Sequence, residues 1–224
     1  MKAMILAAGR GERMRPLTDH VPKPLLHVGG RPLIVWQIER LVSSGFPEIV
    51  INVSWLADEI ESALGNGSRW GASLVYSREE QALETAGGIR KVLSLFDGSP
   101  FLVVNGDVYS DYPYDQLGQA IMRLKAGPDR AHLVLVKNPE HHWEGDFGLQ
   151  NGRLIDRQPY FTFSGISVWH PEAFTTLTPG EKVPLVSVIR NMMANGVVSG
   201  EFYAGKWADI GTTKRLAMLD KILT

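Results

Sequence analysis

Near the start of the chain, residues 6–26 read LAAGRGERMRPLTDHVPKPLL. Gly9 and Gly11 stand two apart, Arg10, Arg13 and Arg15 follow, and Lys23 sits between prolines. Glycines without side chains let backbone N–H groups approach a ligand, and successive N–H groups form an anion-binding nest. Arg13 adds a planar fork suited to phosphate, and Lys23 adds a mobile point charge. The stretch is not the dinucleotide fingerprint, because Met14 holds the last glycine place, and no G-K-[ST] follows to make a P-loop. A plain glycine turn with solvated arginines would look much the same locally. What favours phosphate is position: the loop follows an apolar run at the strand end where doubly wound sheets bind ligands.

Two carboxylates stand out further along. Asp107 follows Gly106 in FLVVNGDVYSD, directly after a buried-strand pattern, and Asp209 lies in GKWADIGTTKR. Either could be an ordinary turn or cap aspartate. For Asp209, Thr212 or Thr213 is the better N-cap of the helix that follows. Asn105 shares a face with Asp107 if the strand runs that far. The histidines at 20, 27, 132, 141, 142 and 170 suggest no metal site, and the pair at 141–142 reads as a polar loop. With no cysteine, a thiol nucleophile, a thiolate metal site and a disulfide framework are excluded.

These residues need a scaffold. Strand-length apolar runs recur at 3–8, 49–53, 73–76, 101–105 and 131–136, with amphipathic helical patterns between them. RPLIVWQIERLVSSG opens with proline and stops at Gly45, and WLADEIESALGNG ends the same way. The alternation predicts an α/β fold with a doubly wound, mostly parallel sheet. After residue 138 the pattern changes to a hairpin turning at Asn151-Gly152, a strand over YFTFSGISVWH, a helix closed by Gly196, another strand and a terminal helix from 212 to 224. A single domain spanning 1–224 is expected, with a small β subregion in its second half. A formal net charge of -1 predicts no bulk attraction to nucleic acid or an anionic membrane. The apolar run at the start is too short for a signal peptide, so a cytoplasmic protein is expected.

The stretch LAAGRGERMRPLT…KPLL resembles the signature of the sugar-phosphate nucleotidyltransferases, and the later landmarks follow in the family's order. The resemblance implies a Rossmann-like α/β/α sandwich that joins a sugar 1-phosphate to a nucleoside triphosphate and releases pyrophosphate. It implies that Leu6, Ala8, Gly9, Gly11, Glu12, Arg13 and Lys23 bind the nucleotide, with Arg13 on the leaving pyrophosphate and Lys23 on phosphates in the transition state. It pairs Asp107 with Asp209 as ligands of Mg²⁺, and Arg13, Lys23 and Asp107 become the catalytic set. Glu79 falls at the base-reading position, with Glu80 one residue away, and Gly87 closes the segment. There the family's glycine before Thr85 is replaced by Glu84. Asn105 is read as a sugar or ribose contact, and Glu140 and Gly148 match the family's sugar-binding stretch. Asp156 and Arg157 stand where the family has Glu-Lys-Pro, a departure that suggests an unusual sugar. The expected substrates are UTP and N-acetylmuramate α-1-phosphate, with Arg157 as partner for the lactyl carboxylate. The alternatives are GTP with mannose 1-phosphate, or a sensor that binds a sugar nucleotide without chemistry. The sequence leaves the oligomeric state open and is compatible with a monomer.

Overall fold

The structure is a computed structural model that describes residues 1–223; the last residue of the expected terminal helix, Thr224, lies outside the described residues. In chain order the elements are β1 (Lys2–Leu6), β2 (His27–Val28), β3 (Arg31–Pro32), α1 (Leu33–Ser43), β4 (Glu48–Val53), α2 (Ala57–Leu64), β5 (Ser73–Arg78), α3 (Glu84–Lys91), β6 (Phe101–Asn105), β7 (Val108–Ser110), α4 (Gly118–Ala126), β8 (Ala131–Val136), β9 (Phe147–Gln150), β10 (Arg153–Ile155), β11 (Tyr160–Trp169), α5 (Leu185–Ala194), β12 (Val198–Tyr203), β13 (Trp207–Asp209) and α6 (Thr213–Leu223). They group into two units built from discontinuous segments. The first takes Met1–Ala82, Val104–Tyr114 and the chain from Lys206 onward; the second takes Leu83–Val103 and Asp115–Gly205.

In the first unit β5, β4 and β1 lie side by side in that order, all parallel, with Leu6 opposite Asn52 and Asn52 opposite Ser77. The unbroken apolar runs that predicted these strands are buried in β1 and β4, as strands covered on both faces must be. In α1, Leu33, Ile34, Ile38 and Leu41 form one buried stripe. Pro32 stands just before its first residue, where its fixed φ and missing N–H do no harm. Its C-terminus turns on Gly45 at φ +86, so the N–H of buried Phe46 donates back to the Leu41 carbonyl at 2.9 Å. β13 and β7 form a short antiparallel ribbon. Beside it, Met14, Leu26, Val28, Leu33, Ile210 and Leu219 make a buried cluster. This cluster ties the basic loop to the buried face of α6 through Leu219.

The second unit carries strands in the order β11-β8-β12-β10-β9. β8 and β12 are parallel, and the other pairs are antiparallel. The expected hairpin is β9–β10, and its turn residues Asn151 and Gly152 have φ +50 and +72, the two positive values a type I′ turn requires. β8 is buried along its whole length, and α5 packs on β12 and α3.

Candidate active site

The first unit assembles the basic loop and both aspartates. β1 ends at Leu6, and the N–H of Ala7 donates to Asn52 Oδ1 at 2.9 Å. Gly9 is open, with nothing within 4 Å of where a Cβ would stand. Gly11 has φ +72, and a Cβ there would come 2.9 Å from Thr18 Cγ2 and 3.2 Å from Lys23 Cβ. A side chain is thus excluded by backbone conformation and by space. The Thr18 hydroxyl donates to the Gly11 carbonyl at 2.9 Å, and buried Met14 anchors the single turn Glu12–Met14. The three arginines have different fates. Arg10 lies over the Trp55 ring at 4.3 Å and 3.3 Å from Glu12, and Arg15 donates to Asp19 at 2.7 Å. Arg13 is exposed and makes no hydrogen bond or ion pair among the described residues. Lys23 is buried, and its ammonium pairs with the Asp107 carboxylate.

β6 ends at Asn105, so a turn rather than strand alternation delivers Asp107. That removes the shared-face argument for Asn105 and Asp107. The Gly106 N–H donates to the Leu6 carbonyl at 2.9 Å, and a Cβ at Gly106 would stand 2.8 Å from that oxygen. Only glycine lets this turn sit so close to the end of β1. The carbonyl of Asp107 accepts from Ile210 N–H at 2.8 Å, and Asp209 pairs with Val108 across the ribbon. The ribbon therefore brings together the two aspartates, about a hundred residues apart in sequence. Asp209 also has a cation that the sequence did not reveal: Arg215, whose Nη1 lies 2.8 Å from both carboxylate oxygens. As expected, Thr212 caps the helix, its hydroxyl accepting the Arg215 N–H at 3.3 Å. A Cβ on Gly211 would overlap the Arg215 guanidinium and stand 2.9 Å from Nη2 of Arg13. Two guanidinium groups thus converge at one point beside Asp209. A signal for Arg215 was available: a cation in the first turn of a helix has the sign the helix dipole disfavours, and so calls for another use.

Among the described residues, no cluster of three or more His, Asp or Glu side chains is set to hold a metal. Two half-exposed carboxylates are present, each already beside a cation. That donor set does not make a closed protein cage. It fits a hard divalent cation that keeps water and substrate phosphates among its ligands, as Mg²⁺ does.

Beyond β5, Glu79 is buried and its Oε1 accepts from Asn52 Nδ2 at 2.9 Å, while Glu80 is exposed. Asn52 thus links the end of β1 to Glu79. In the second unit, Glu84 keeps a left-handed backbone at φ +60, the conformation the family's glycine would adopt without strain. Gly87 is buried, and a Cβ there would overlap the Glu181 carbonyl.

The sugar-directed stretch lies in the second unit, around an open cavity of about 610 Å³. Asp156 lines it and accepts from the Tyr160 hydroxyl at 3.0 Å. That bond holds the Tyr160 phenol above its ordinary pKa, against the pull of the Arg190 charge. Gly148 is buried between β10 and β11, and a Cβ on it would overlap the Arg157 carbonyl, so its bareness lets the 156–159 connection fold across it. Arg157 and Glu140 are exposed and do not line the cavity. Asn138 fixes the wall: its amide donates to the carbonyls of Trp143 and Tyr160 and its oxygen accepts from Thr162, each at about 3 Å. Trp143, Tyr160 and Arg190 line the cavity without having been singled out in the sequence. A tryptophan inside the polar run EHHWEGD was the visible signal.

The nucleotidyl transferase family profile matches residues 2–223, and the chain belongs to that family. It is 49% identical to the N-acetylmuramate alpha-1-phosphate uridylyltransferase of Neisseria meningitidis serogroup B, over 96% of this chain and 95% of that protein. It is 37% identical to the mannose-1-phosphate guanyltransferase of Aspergillus oryzae over 96% of this chain, but spans only 62% of that protein. In fold it is similar to a Bacillus anthracis protein, provisionally assigned as a glucose-1-phosphate thymidylyltransferase and crystallised with sucrose, with a TM-score of 0.87 at 22% identity over 100% of this chain and 95% of that one. Its α/β architecture is thus that of the Rossmann-like nucleotidyltransferases, and the family profile together with the 49% identical relative makes the chain a sugar-1-phosphate nucleotidyltransferase.

Proposed function

We propose that the chain transfers uridylyl from UTP to N-acetylmuramate α-1-phosphate, giving UDP-N-acetylmuramate and pyrophosphate, a step of peptidoglycan recycling. Residues 1–224 act as one nucleotidyltransferase domain. The observation that carries the substrate pair is the 49% identity that runs nearly end to end in both proteins. The charge array of Arg13, Lys23, Asp107, Asp209 and Arg215 supports the chemistry.

No activated nucleophile is required. A sugar phosphate is already anionic at neutral pH, its second pKa being about 6. Its oxygen forms the new bond to the α-phosphorus of UTP as the bond from that phosphorus to the bridging oxygen of pyrophosphate breaks. Negative charge grows on the leaving group. Arg13 and the N–H groups of the Gly9–Gly11 loop take that charge, and Lys23 contacts the phosphates from beside Asp107. Asp107 and Asp209 hold Mg²⁺, which supplies charge neutralisation at the α-phosphate. Asn105, Gly148 and Asp156 serve the sugar side, and Glu79 or Glu80 reads the base. Positioning and preorganised charge account for the rate.

The test is pyrophosphate release from a matrix of UTP, GTP, CTP and ATP against N-acetylmuramate, N-acetylglucosamine, glucose and mannose 1-phosphates. The expected maximum is UTP with N-acetylmuramate 1-phosphate. A maximum with GTP and mannose 1-phosphate would replace the reading by the guanylyl one, and binding without release by the sensor. Arg13→Ala is expected to slow turnover by about 10²–10³-fold, as for loss of one preorganised donor to a developing charge. Weaker UTP affinity at unchanged turnover would mean that Arg13 binds ground and transition states alike.

A further inference from the structure

We infer that Arg190 is the residue that selects the sugar, by pairing with a carboxylate borne on it, and that Trp143 and Val186 form the apolar wall against which the rest of that substituent lies. The inference rests on the substrate reading above and adds what recognises the carboxylate.

Arg190 and Val186 stand four residues apart on α5, so one helix face turns both toward the cavity. Arg190 is the sole Lys or Arg in the lining and makes no hydrogen bond or ion pair among the described residues. Of the three acids in the lining, Glu144 is exposed and makes no hydrogen bond or ion pair among the described residues, Arg190 included, while the other two have tasks of their own. Asp146 receives the N–H of Phe163 at 2.7 Å and lies 3.0 Å from His142 Nε2, and Asp156 receives the Tyr160 hydroxyl. Arg190 is exposed, and a guanidinium lining a cavity with its donors uncommitted is matched by a carboxylate, which it can meet with two parallel bonds. Trp143 is 74% exposed and Val186 46%, so the same cavity offers apolar surface to water. N-acetylmuramate differs from N-acetylglucosamine by a lactyl ether, which carries one methyl and one carboxylate. Those two groups are what an apolar wall beside an arginine would recognise. Arg157, the expected partner, is exposed outside this lining.

The experiment is kcat/KM with UTP for N-acetylmuramate 1-phosphate and for N-acetylglucosamine 1-phosphate, in the wild type and in Arg190→Ala, Arg190→Lys and Arg157→Ala. The wild type is expected to prefer the muramate. In Arg190→Ala the ratio of the two values should fall about 10- to 100-fold, mainly through KM for the muramate, the range for losing a hydrogen bond to a charged group. Arg190→Lys, which keeps the charge and loses the fork, should recover part of it. A proportional fall for both sugars in Arg190→Ala, or a larger fall of the ratio in Arg157→Ala, overturns the inference. If the wild type does not prefer the muramate yet turns over another sugar phosphate, the substrate reading itself fails, and the two failures are distinct.

Discussion

Asp107 and Asp209 each sit against a cation, Lys23 in one case and Arg215 in the other. Such pairing keeps two neighbouring carboxylates from repelling one another, and it means a divalent cation must compete for both. Asp107→Asn and Asp209→Asn remove charge without changing shape. Each is expected to lower turnover by several orders of magnitude at saturating Mg²⁺ while the far-ultraviolet dichroism stays that of the parent; near-normal turnover in one variant removes that residue from the metal site. Arg215→Met tests the competition. Without the guanidinium, half-saturation by Mg²⁺ should move to lower concentration, even as turnover falls from the loss of positive charge beside Arg13. A move to higher concentration would mean that Arg215 assembles the metal site and does not compete for it. At this scale residue types were legible and partnerships were not. Gly-x-Gly, Arg13, Lys23 and the aspartates have chemistry that spacing alone suggests, but pairing Asp107 with Asp209 depends on a ribbon between β7 and β13 that no local pattern encodes.

At the scale of elements, the glycines are the informative positions. Gly106→Ala would set a methyl 2.8 Å from the Leu6 carbonyl, and the turn that yields is the one carrying Asp107. Turnover is expected to drop by roughly tenfold or more, beside a modest fall in stability of about 1–3 kcal/mol for overpacking. Loss of stability with full activity would show that the turn relaxes without moving Asp107. Glu84 makes the opposite case. A non-glycine residue at φ +60 carries a strain of roughly 1–2 kcal/mol, partly offset by glycine's greater freedom when unfolded. Glu84→Gly should therefore stabilise the chain by a few tenths to about 1 kcal/mol in urea unfolding; destabilisation would mean that the glutamate side chain offsets the strain through contacts of its own. Elements were the most legible level. Apolar runs of strand length placed β4, β6 and β8, and Asn151-Gly152 gave the β9–β10 turn, because these signals are local. The end of β6 at Asn105 was legible too, because the apolar run stops there, but the hydrogen bond from Gly106 to Leu6 that sets the turn was not, since it joins residues a hundred apart.

For the whole molecule, a formal charge of -1 conceals how unevenly charge is distributed. The basic loop, Arg215 and Lys23 concentrate positive groups beside two acids, and near-neutral totals predict nothing about that. A triphosphate should therefore bind through local contacts and stabilise the native state by mass action. At a concentration about 100 times its Kd, a ligand adds about 2.7 kcal/mol. For a chain of this length each kcal/mol raises Tm by about 2–4 °C, so UTP with Mg²⁺ should raise it by roughly 5–10 °C. Because each unit is assembled from discontinuous segments, one unfolding transition that moves as a whole is expected. On the proposed reading of UTP as the substrate, GTP at the same concentration should give a smaller shift. Arg13→Ala should reduce the UTP shift if the arginine already contacts the ground-state triphosphate, and leave it intact if its contact is made only with the departing pyrophosphate. Differential scanning calorimetry with both nucleotides resolves these outcomes. An equal or larger shift with GTP would overturn the assignment of uracil as the base, and two separate transitions of which UTP moves one would overturn the single domain.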